Sequence, residues 1–185
     1  MTMTSPAASA WVQRWSHLVP AGARVLDVAC GSGRHVRWFA SRGAIVTGID
    51  RDTAATQPLA AIAEIIHADI ESGPWPIAGR RFDAVVVTNY LWHARLTDVV
   101  ESVAPGGMLI YETFAAGNES VGRPANPDFL LRPGELLQVA QGLRVIAFED
   151  GFESASPRFV QRIVAVREAS GSPHPARYEL GASGR

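Results

Sequence analysis

The segment at residues 24–33 restricts the fold more than any other part of this 185-residue chain. Residues 24–29 form an apolar run of strand length, and residues 34–42 repeat apolar side chains at helical spacing. Between them, Gly31 and Gly33 allow a tight turn and a close approach of a ligand to the backbone. A buried strand, a glycine turn and a helix in this order predict the first unit of an α/β fold with a parallel sheet.

The same alternation continues along most of the chain. The predicted strands cover residues 24–29, 44–49, 64–67, 82–88, 108–114, 143–149 and 158–166, and the predicted helices cover residues 7–18, 34–42, 53–60, 96–103 and 132–141. Because the inner strands are apolar throughout, helices must cover both faces of the sheet. A short, turn-rich stretch joins the last two strands, which predicts antiparallel neighbours. The predicted fold class is therefore α/β, with a Rossmann-like, doubly wound, mostly parallel seven-stranded sheet and an antiparallel C-terminal edge pair.

Chain length and composition predict one domain at residues 1–167. Residues 168–185 are rich in Ser, Gly, Pro and Ala and are predicted to form a flexible C-terminal tail.

Residues 115–131 show no convincing periodicity of apolar residues. A loop of that length in a compact domain predicts a lid or a binding segment.

Charge and composition limit the partners. The formal net charge is -1, so there is no bulk basic excess for a polyanion, DNA is not expected, and RNA is not favoured. The single cysteine, Cys30, cannot form an intramolecular disulfide. Neither a signal peptide nor an apolar run of roughly 18 residues is found, so we expect a cytoplasmic protein that does not contact membranes. The oligomeric state is left open.

Two carboxylates flank the glycine turn. Asp50 follows the second strand, where its oxygens can accept hydrogen bonds from ribose hydroxyls. The dinucleotide-binding fingerprint would require a third glycine at the place of Val36. Asp27, four residues before Gly31, can reach the ammonium of an amino-acid ligand. S-adenosylmethionine (SAM) has such an ammonium and NAD does not, so the pattern favours SAM.

Several motifs together resemble those of class I SAM-dependent methyltransferases. Residues 25–33 (VLDVACGSG) resemble the first motif of that superfamily, and the following matches keep its order and spacing: Asp50, Asp69, residues 82–87 (FDAVVV) and residues 105–109 (PGGML). The resemblance covers residues 22–166. Among subfamilies, the chain is most similar to small bacterial tellurite-resistance-type (TehB-like) methyltransferases.

The resemblance implies SAM as the cofactor and assigns cofactor-binding positions. They are Asp27, Ala29, Gly31, Gly33, Asp50, Arg51, Asp69, Ile70 and Thr88. The loop residues would line the methionine moiety, Asp50 would hold the ribose, and Asp69 would accept from the adenine amine. Simpler interpretations stay open: a glycine turn without a ligand, an N-cap role for Asp50, and a different register at Asp69.

On the substrate side the candidates follow the fourth strand or lie near the long loop. The predicted substrate-binding residues are Asn89, Trp92, Arg123 and Arg132, and the predicted catalytic residues are His93 and Tyr90. The histidines show no ligand spacing with one another, so no metal is predicted. Both prolines of the amino-methylating DNA enzymes are missing after Asn89, which argues against N-methylation of adenine or glutamine.

Methyl transfer from a sulfonium is an in-line displacement that mainly needs alignment and exclusion of water, so no obvious catalytic residue is required. The leading hypothesis is a methyltransferase that acts on a small-molecule acceptor. An RNA or tRNA methyltransferase that works with a partner is the second. It would be favoured by a positive stripe of Arg34, Arg37, Arg42, Arg80 and Arg81. A SAM-binding regulatory protein without turnover is the third.

Overall fold

A computed structural model describes residues 6–171 and 176–181 of the chain. The strands in this part are β1 (Arg24–Val28), β2 (Ile45–Asp50), β3 (Glu64–His67), β4 (Phe82–Thr88), β5 (Val103–Phe114), β6 (Arg144–Glu153) and β7 (Arg158–Val166). The α-helices are α1 (Ala10–Trp15), α2 (Arg34–Ser41), α3 (Thr53–Thr56), α4 (Leu96–Glu101) and α5 (Glu135–Val139). The predicted order of elements is confirmed, but several bounds differ: β5 begins at Val103, five residues before its predicted start, and β6 continues to Glu153.

All strands form one seven-stranded sheet in the order β3-β2-β1-β4-β5-β7-β6. The strands from β1 to β5 pair in parallel, and β7 runs antiparallel to both β5 and β6. The predicted α/β fold class and its antiparallel edge pair are therefore confirmed. The strand order reverses between β1 and β4, and open α/β sheets bind ligands beyond the carboxyl ends of the strands at such a switch point.

Side chains of the central strands alternate between two apolar cores, one on each face of the sheet. Leu26 and Val85 are fully buried on the face covered by α4 and α5. Val25 and Val86 are equally buried on the face covered by α1 and α2. Burial on both faces explains why these strands read as continuous apolar runs in the sequence.

Helix α1 begins where Ser9 caps it, because the Ser9 hydroxyl accepts from the Val12 amide at 3.1 Å. The predicted helix at residues 7–18 is thus shorter than expected, and a 3-10 turn, Ser16–Leu18, completes it. Trp11 and Trp15 of α1 are buried against the sheet. Their burial fixes the N-terminal segment at the carboxyl edge of the strands, next to the start of α2.

The loop at residues 115–131 is held by its own hydrogen bonds. The side chain of Asn118 is buried, donates to the Pro124 carbonyl at 3.0 Å and accepts from the Phe159 amide at 3.2 Å. Two 3-10 turns, Asn118–Ser120 and Pro127–Phe129, occupy part of the loop. The loop therefore has a defined path beside the carboxyl ends of β4 and β5.

The domain boundaries stay a prediction. Of the predicted tail at 168–185, residues 172–175 and 182–185 lie outside the described residues. In the described part, Tyr178 packs partly against the core on the α1 face, and Nε2 of His17 lies 3.0 Å from the Glu179 carbonyl oxygen. Across residues 6–171 and 176–181, no helix combines the length and apolarity needed to cross a membrane.

Candidate functional site

The carboxyl ends of β1, β2, β3 and β4 surround a cavity of about 180 Å³. This glycine-loop cavity is lined by Ala29, Ile49, Asp50, Arg51, Ala68, Asp69, Ile70, Glu71 and Tyr90. Ala29 and Asn89 follow the two strands at the switch point, and their φ angles of 54° and 53° lie in the left-handed region. Such strain costs on the order of 1–3 kcal/mol at each residue and concentrates at functional sites. The geometry therefore supports a ligand site here.

Asp50 connects the second strand to the glycine turn. Its Oδ2 accepts from the Gly31 amide at 2.7 Å, and its Oδ1 accepts from the Asp52 amide at 2.9 Å. The N-cap of α3 is Asp52 and not Asp50, since Asp52 Oδ1 accepts from the Ala55 amide at 3.0 Å. Each oxygen of Asp50 keeps a further lone pair for a hydroxyl donor. Asp50 can therefore shape the turn and hold a ribose at once.

Asp27 is a buried carboxylate beside the turn. It is 1% exposed, and its Oδ2 has no hydrogen-bond partner among the described residues. Burial raises the pKa of Asp27 to about 7, although the nearby Arg34 guanidinium acts in the opposite direction. A buried acceptor without a partner is costly unless a ligand provides the missing donor. An ammonium group would provide it.

Arg34 begins α2 and supplies the complementary charge. Its Nη2 donates to Oγ1 of Thr88 at 3.4 Å, so the guanidinium lies between the ends of β1 and β4. A carboxylate and a guanidinium placed on the two sides of one turn match the two charges of an α-amino acid group. These residues fit the methionine moiety of SAM. From the sequence, Arg34 was assigned only to a positive stripe around the mouth of the site, although its place directly after Gly33 was a usable signal.

His35 is held in one neutral form by its neighbours. The Ser9 amide donates to Nε2 of His35 at 3.1 Å, so this nitrogen carries no proton. Burial, reinforced by Arg34, lowers the pKa of His35 to about 3. The proton of the neutral ring therefore lies on Nδ1, which is 3.3 Å from Oγ1 of Thr88 and donates to it. Because Thr88 accepts from His35 and Arg34, its own hydroxyl proton is left to donate to a ligand.

Asp69 and Ile70 form the far wall of the glycine-loop cavity. Asp69 Oδ2 accepts from the Ser72 hydroxyl at 2.8 Å, and Oδ1 accepts from the Glu71 amide at 3.0 Å. The Ser72 hydroxyl keeps the pKa of Asp69 below its ordinary value. This turn places the buried Ile70 beside the cavity, while the exposed Arg51 lies 3.8 Å from Glu71 across its mouth. A flat apolar ring would lie against Ile70.

A second cavity, of about 230 Å³, adjoins the first at Glu71 and Tyr90. This aromatic cavity is lined by Glu71, Asn89, Tyr90, Leu91, Thr113, Phe114, Pro124 and Phe129. The predicted substrate-side residues Asn89 and Tyr90 are thus brought to one place. Sequence reasoning missed Thr113 and Phe114, because the register that pairs Thr88 with Glu112 becomes known only from the sheet.

The structure does not bring the other predicted substrate-side residues to these two cavities. His93 and Arg132 line a separate cavity of about 590 Å³ between α4 and α5. Nε2 of His93 and Nη2 of Arg132 lie 3.2 Å and 3.0 Å from Oε1 of the buried Glu135. His93 turns away because a 3-10 helix, His93–Arg95, begins directly after Trp92 and leads into α4. Trp92 and the exposed Arg123 line neither cavity.

Comparison with known proteins agrees with this geometry. Residues 25–107 match the model of a family described as a methyltransferase domain. By this match, residues 25–107 are those of a methyltransferase domain. They include the whole lining of the glycine-loop cavity, and the predicted family, fold and SAM cofactor are confirmed at this level.

Two curated relatives share this domain. The chain is 32% identical over 126 residues to a tRNA U34 carboxymethyltransferase of Methylococcus capsulatus, a match that covers 58% of this chain and 37% of that protein. It is 34% identical over 107 residues to a ubiquinone biosynthesis O-methyltransferase of Alkalilimnicola ehrlichii, covering 50% of this chain and 42% of that one. The matches therefore span less than half the length of these relatives, whose named acceptors differ.

The fold of the domain is also that of TehB. The crystal structure of TehB from Haemophilus influenzae superposes with a TM-score of 0.66 at 17% sequence identity, covering 83% of this chain and 60% of that one. At this identity the likeness concerns the fold alone. The TehB-type likeness expected from the sequence is confirmed in that sense.

Proposed function

We propose that this protein transfers the methyl group of SAM to a small-molecule acceptor. The observation that carries the proposal is the pair of opposite charges at the glycine turn. Asp27 offers a buried carboxylate oxygen that no described residue satisfies, and Arg34 offers a guanidinium beside it. The glycine-loop cavity continues from this pair toward Asp50 and Ile70. This order of groups suits an amino acid, a ribose and a base along one molecule.

When bound, SAM supplies a methyl group made electrophilic by the positive charge on its sulfur. The residues of the domain then have to bind, orient and exclude water. We propose that Asp27 and Arg34 hold the two charged groups of the methionine moiety and that the Thr88 hydroxyl donates a hydrogen bond to the ligand. Asp50 holds the ribose, while Asp69, Ile70 and Arg51 surround the base. Ala29, Gly31 and Gly33 form the turn against which the ligand lies.

The aromatic cavity is the proposed acceptor site. It opens beside the ends of β4 and β5 and shares Tyr90 with the glycine-loop cavity. With a volume of about 230 Å³, it suits a compact molecule. Of the two predicted catalytic residues, Tyr90 lies here and His93 lines the cavity between α4 and α5. We therefore propose Asn89 and Tyr90 as acceptor-side residues.

Transfer to tRNA is the second candidate, because a relative named for tRNA U34 is 32% identical over 126 residues. The predicted arginine stripe gives it little support. Arg34 turns inward to Thr88, and Arg80 pairs with Glu64 at 2.7 Å near the start of β4, at the opposite edge of the sheet. Arg37 donates to the Ser32 carbonyl at 2.9 Å. We therefore rank a small molecule first.

Incubation with methyl-labelled SAM and fractionated extract tests the proposal. Label in small metabolites supports it, label in RNA supports the second candidate, and binding of SAM without any transfer of label indicates a regulatory protein.

Calorimetry with the demethylated product of SAM tests the cofactor site alone. We expect Arg34→Met to weaken this binding by about tenfold, as for a lost charged hydrogen bond, and the matched control Arg42→Met, at an exposed residue of the C-terminal end of α2, to leave it unchanged. Equal affinities of the two variants would contradict the role of Arg34.

The cytoplasmic location stays a prediction.

A further inference from the structure

The walls of the aromatic cavity are rich in ring surfaces. Tyr90, Phe114 and Phe129 contribute three aromatic side chains to a cavity of about 230 Å³. Phe129 belongs to the 3-10 turn Pro127–Phe129 of the long loop, and its side chain remains 39% exposed. Aromatic side chains favour offset-stacked or edge-to-face contacts with another ring. The walls therefore favour a compact ligand with a flat, unsaturated ring.

The charge in this cavity has one sign. Among the described residues that line it, Glu71 is the only one with a charged side chain. Arg51 lies 3.8 Å from Glu71, but it lines the glycine-loop cavity and its side chain is 67% exposed. The arginines predicted to hold an anion do not line the aromatic cavity: Arg123 is exposed, and Arg132 is tied to Glu135 at 3.0 Å. A negative acceptor would find no cation here.

The hydroxyl of Tyr90 adds a polar group beside that carboxylate. It is buried and has no hydrogen-bond partner among the described residues. Burial, together with the charges of Glu71 and Asp69, raises the pKa of Tyr90 well above its ordinary value, so the hydroxyl stays protonated. A neutral hydroxyl next to a carboxylate can accept from an N–H group while the carboxylate compensates its positive charge. The exposed Asn89 contributes a further amide at the same edge.

We propose that the aromatic cavity selects a compact molecule that carries both an aromatic ring and an amino group, neutral or positively charged, and rejects anionic acceptors. Glu71 receives the amine, the hydroxyl of Tyr90 completes its hydrogen bonding, and Phe114 and Phe129 hold the ring. This inference rests on the proposed function, because the cavity is treated as the acceptor site. It goes further by naming the chemical class and the sign of the charge.

Three probes with the same ring and different charge test the inference: benzylamine, benzyl alcohol and benzoate. Each is titrated by NMR into the full chain saturated with the demethylated product of SAM. We expect the affinity to fall in the order benzylamine, benzyl alcohol, benzoate. Glu71→Gln should weaken benzylamine by about tenfold, the usual effect of a lost charged hydrogen bond, and leave benzyl alcohol unchanged. The control Glu101→Gln removes an acid that lines the cavity between α4 and α5 and should change nothing.

A second pair of variants tests the ring contact. Phe129→Ala should weaken benzylamine and benzyl alcohol to the same degree, whereas Phe152→Ala, which removes a 49% exposed ring on β6, should weaken neither. Three results would each overturn the inference: benzoate binds as tightly as benzylamine, Glu71→Gln leaves the affinity for benzylamine unchanged, or benzylamine does not bind measurably. Calorimetry with the demethylated product separates the two proposals. If the unmodified protein does not bind the demethylated product, the proposed function is overturned. If it binds this product but does not bind the three probes in the expected order, only the acceptor class is overturned.

Discussion

The backbone amide of Ser9 donates to Nε2 of His35 at 3.1 Å, which attaches the N-terminal segment to the start of α2. Nδ1 of the same ring lies 3.3 Å from the hydroxyl of Thr88, at the end of β4. The imidazole is 2% exposed and neutral, so one ring connects the segment before α1 to a residue of the proposed cofactor site. The position of the N-terminal segment and the direction of the Thr88 hydroxyl therefore depend on one side chain.

Two amide substitutions should separate the two bonds of His35. The oxygen of His35→Gln can reach the place of Nε2 and accept from Ser9, whereas the amide of His35→Asn can reach the place of Nδ1 and donate to Thr88. We expect hydrogen exchange at the Ser9 amide to stay slow in His35→Gln and to speed up in His35→Asn. Each lost bond costs about 1 kcal/mol. Equal exchange in the two variants would show that the ring does not hold the segment.

The affinity for the demethylated product of SAM should depend on pH through Asp27. The pKa of this carboxyl is raised to about 7 in the free protein, and a bound ammonium favours its charged form. Binding then releases a proton, so affinity rises with pH up to the raised pKa and levels off above it. We expect calorimetry to show an increase of about tenfold from about pH 6 to pH 8. Asp27→Asn should bind weakly with no such slope, and a slope that persists in it would assign the titration to another group.

The two glycines of the turn should differ in their tolerance of alanine. Both have positive φ, 52° at Gly31 and 78° at Gly33. A Cβ at Gly33 would clash with the side chain of Leu59, whereas a Cβ at Gly31 would have no atom of the other described residues within 4 Å, its chain neighbours aside. Gly31→Ala should therefore cost about 1–2 kcal/mol of unfolding free energy from the backbone alone. Gly33→Ala should cost about 1–3 kcal/mol more because of overpacking.

Denaturant unfolding measures both variants, and a double variant identifies the cause. Leu59→Ala removes the atoms that the new methyl group would meet, so Gly33→Ala should cost less in that background than in the unmodified protein. If the cost were the same in both backgrounds, backbone conformation alone would explain it.

Asp50 and Asp52 form a matched pair of carboxylates at the end of β2. Asp50→Ala should weaken binding of the demethylated product by about tenfold or more, because it removes the ribose acceptor and the 2.7 Å bond that holds the Gly31 amide. Asp52→Ala removes only the N-cap of α3, with a cost of about 1 kcal/mol in stability. Calorimetry and thermal unfolding distinguish the two, and an unchanged affinity in Asp50→Ala would remove Asp50 from the site.

The placement of the residues proposed to bind the cofactor was largely predictable, because they are local to strand ends. Asp27, Gly31 and Asp50 each sit at a fixed place relative to a strand that is recognisable from its apolar run, and parallel strands bring their carboxyl ends to one edge. The acceptor half was predicted less well. His93 follows β4 in sequence as closely as Asn89 and Tyr90 do, yet a 3-10 turn carries it to Glu135. Sequence distance could not indicate that change of direction.

The sequence by itself determined the order of the elements, the two-sided sheet and the motifs that resemble those of class I methyltransferases. These features depend on hydrophobic period, on glycine conformation and on spacing along one strand, all of which are local. The tertiary structure decided which groups come together across elements: the Ser9 amide with His35, Arg34 with Thr88, and Glu71 and Phe129 as walls of the aromatic cavity. Such contacts join residues far apart in the chain, and their geometry follows from strand register and packing, which no local pattern records.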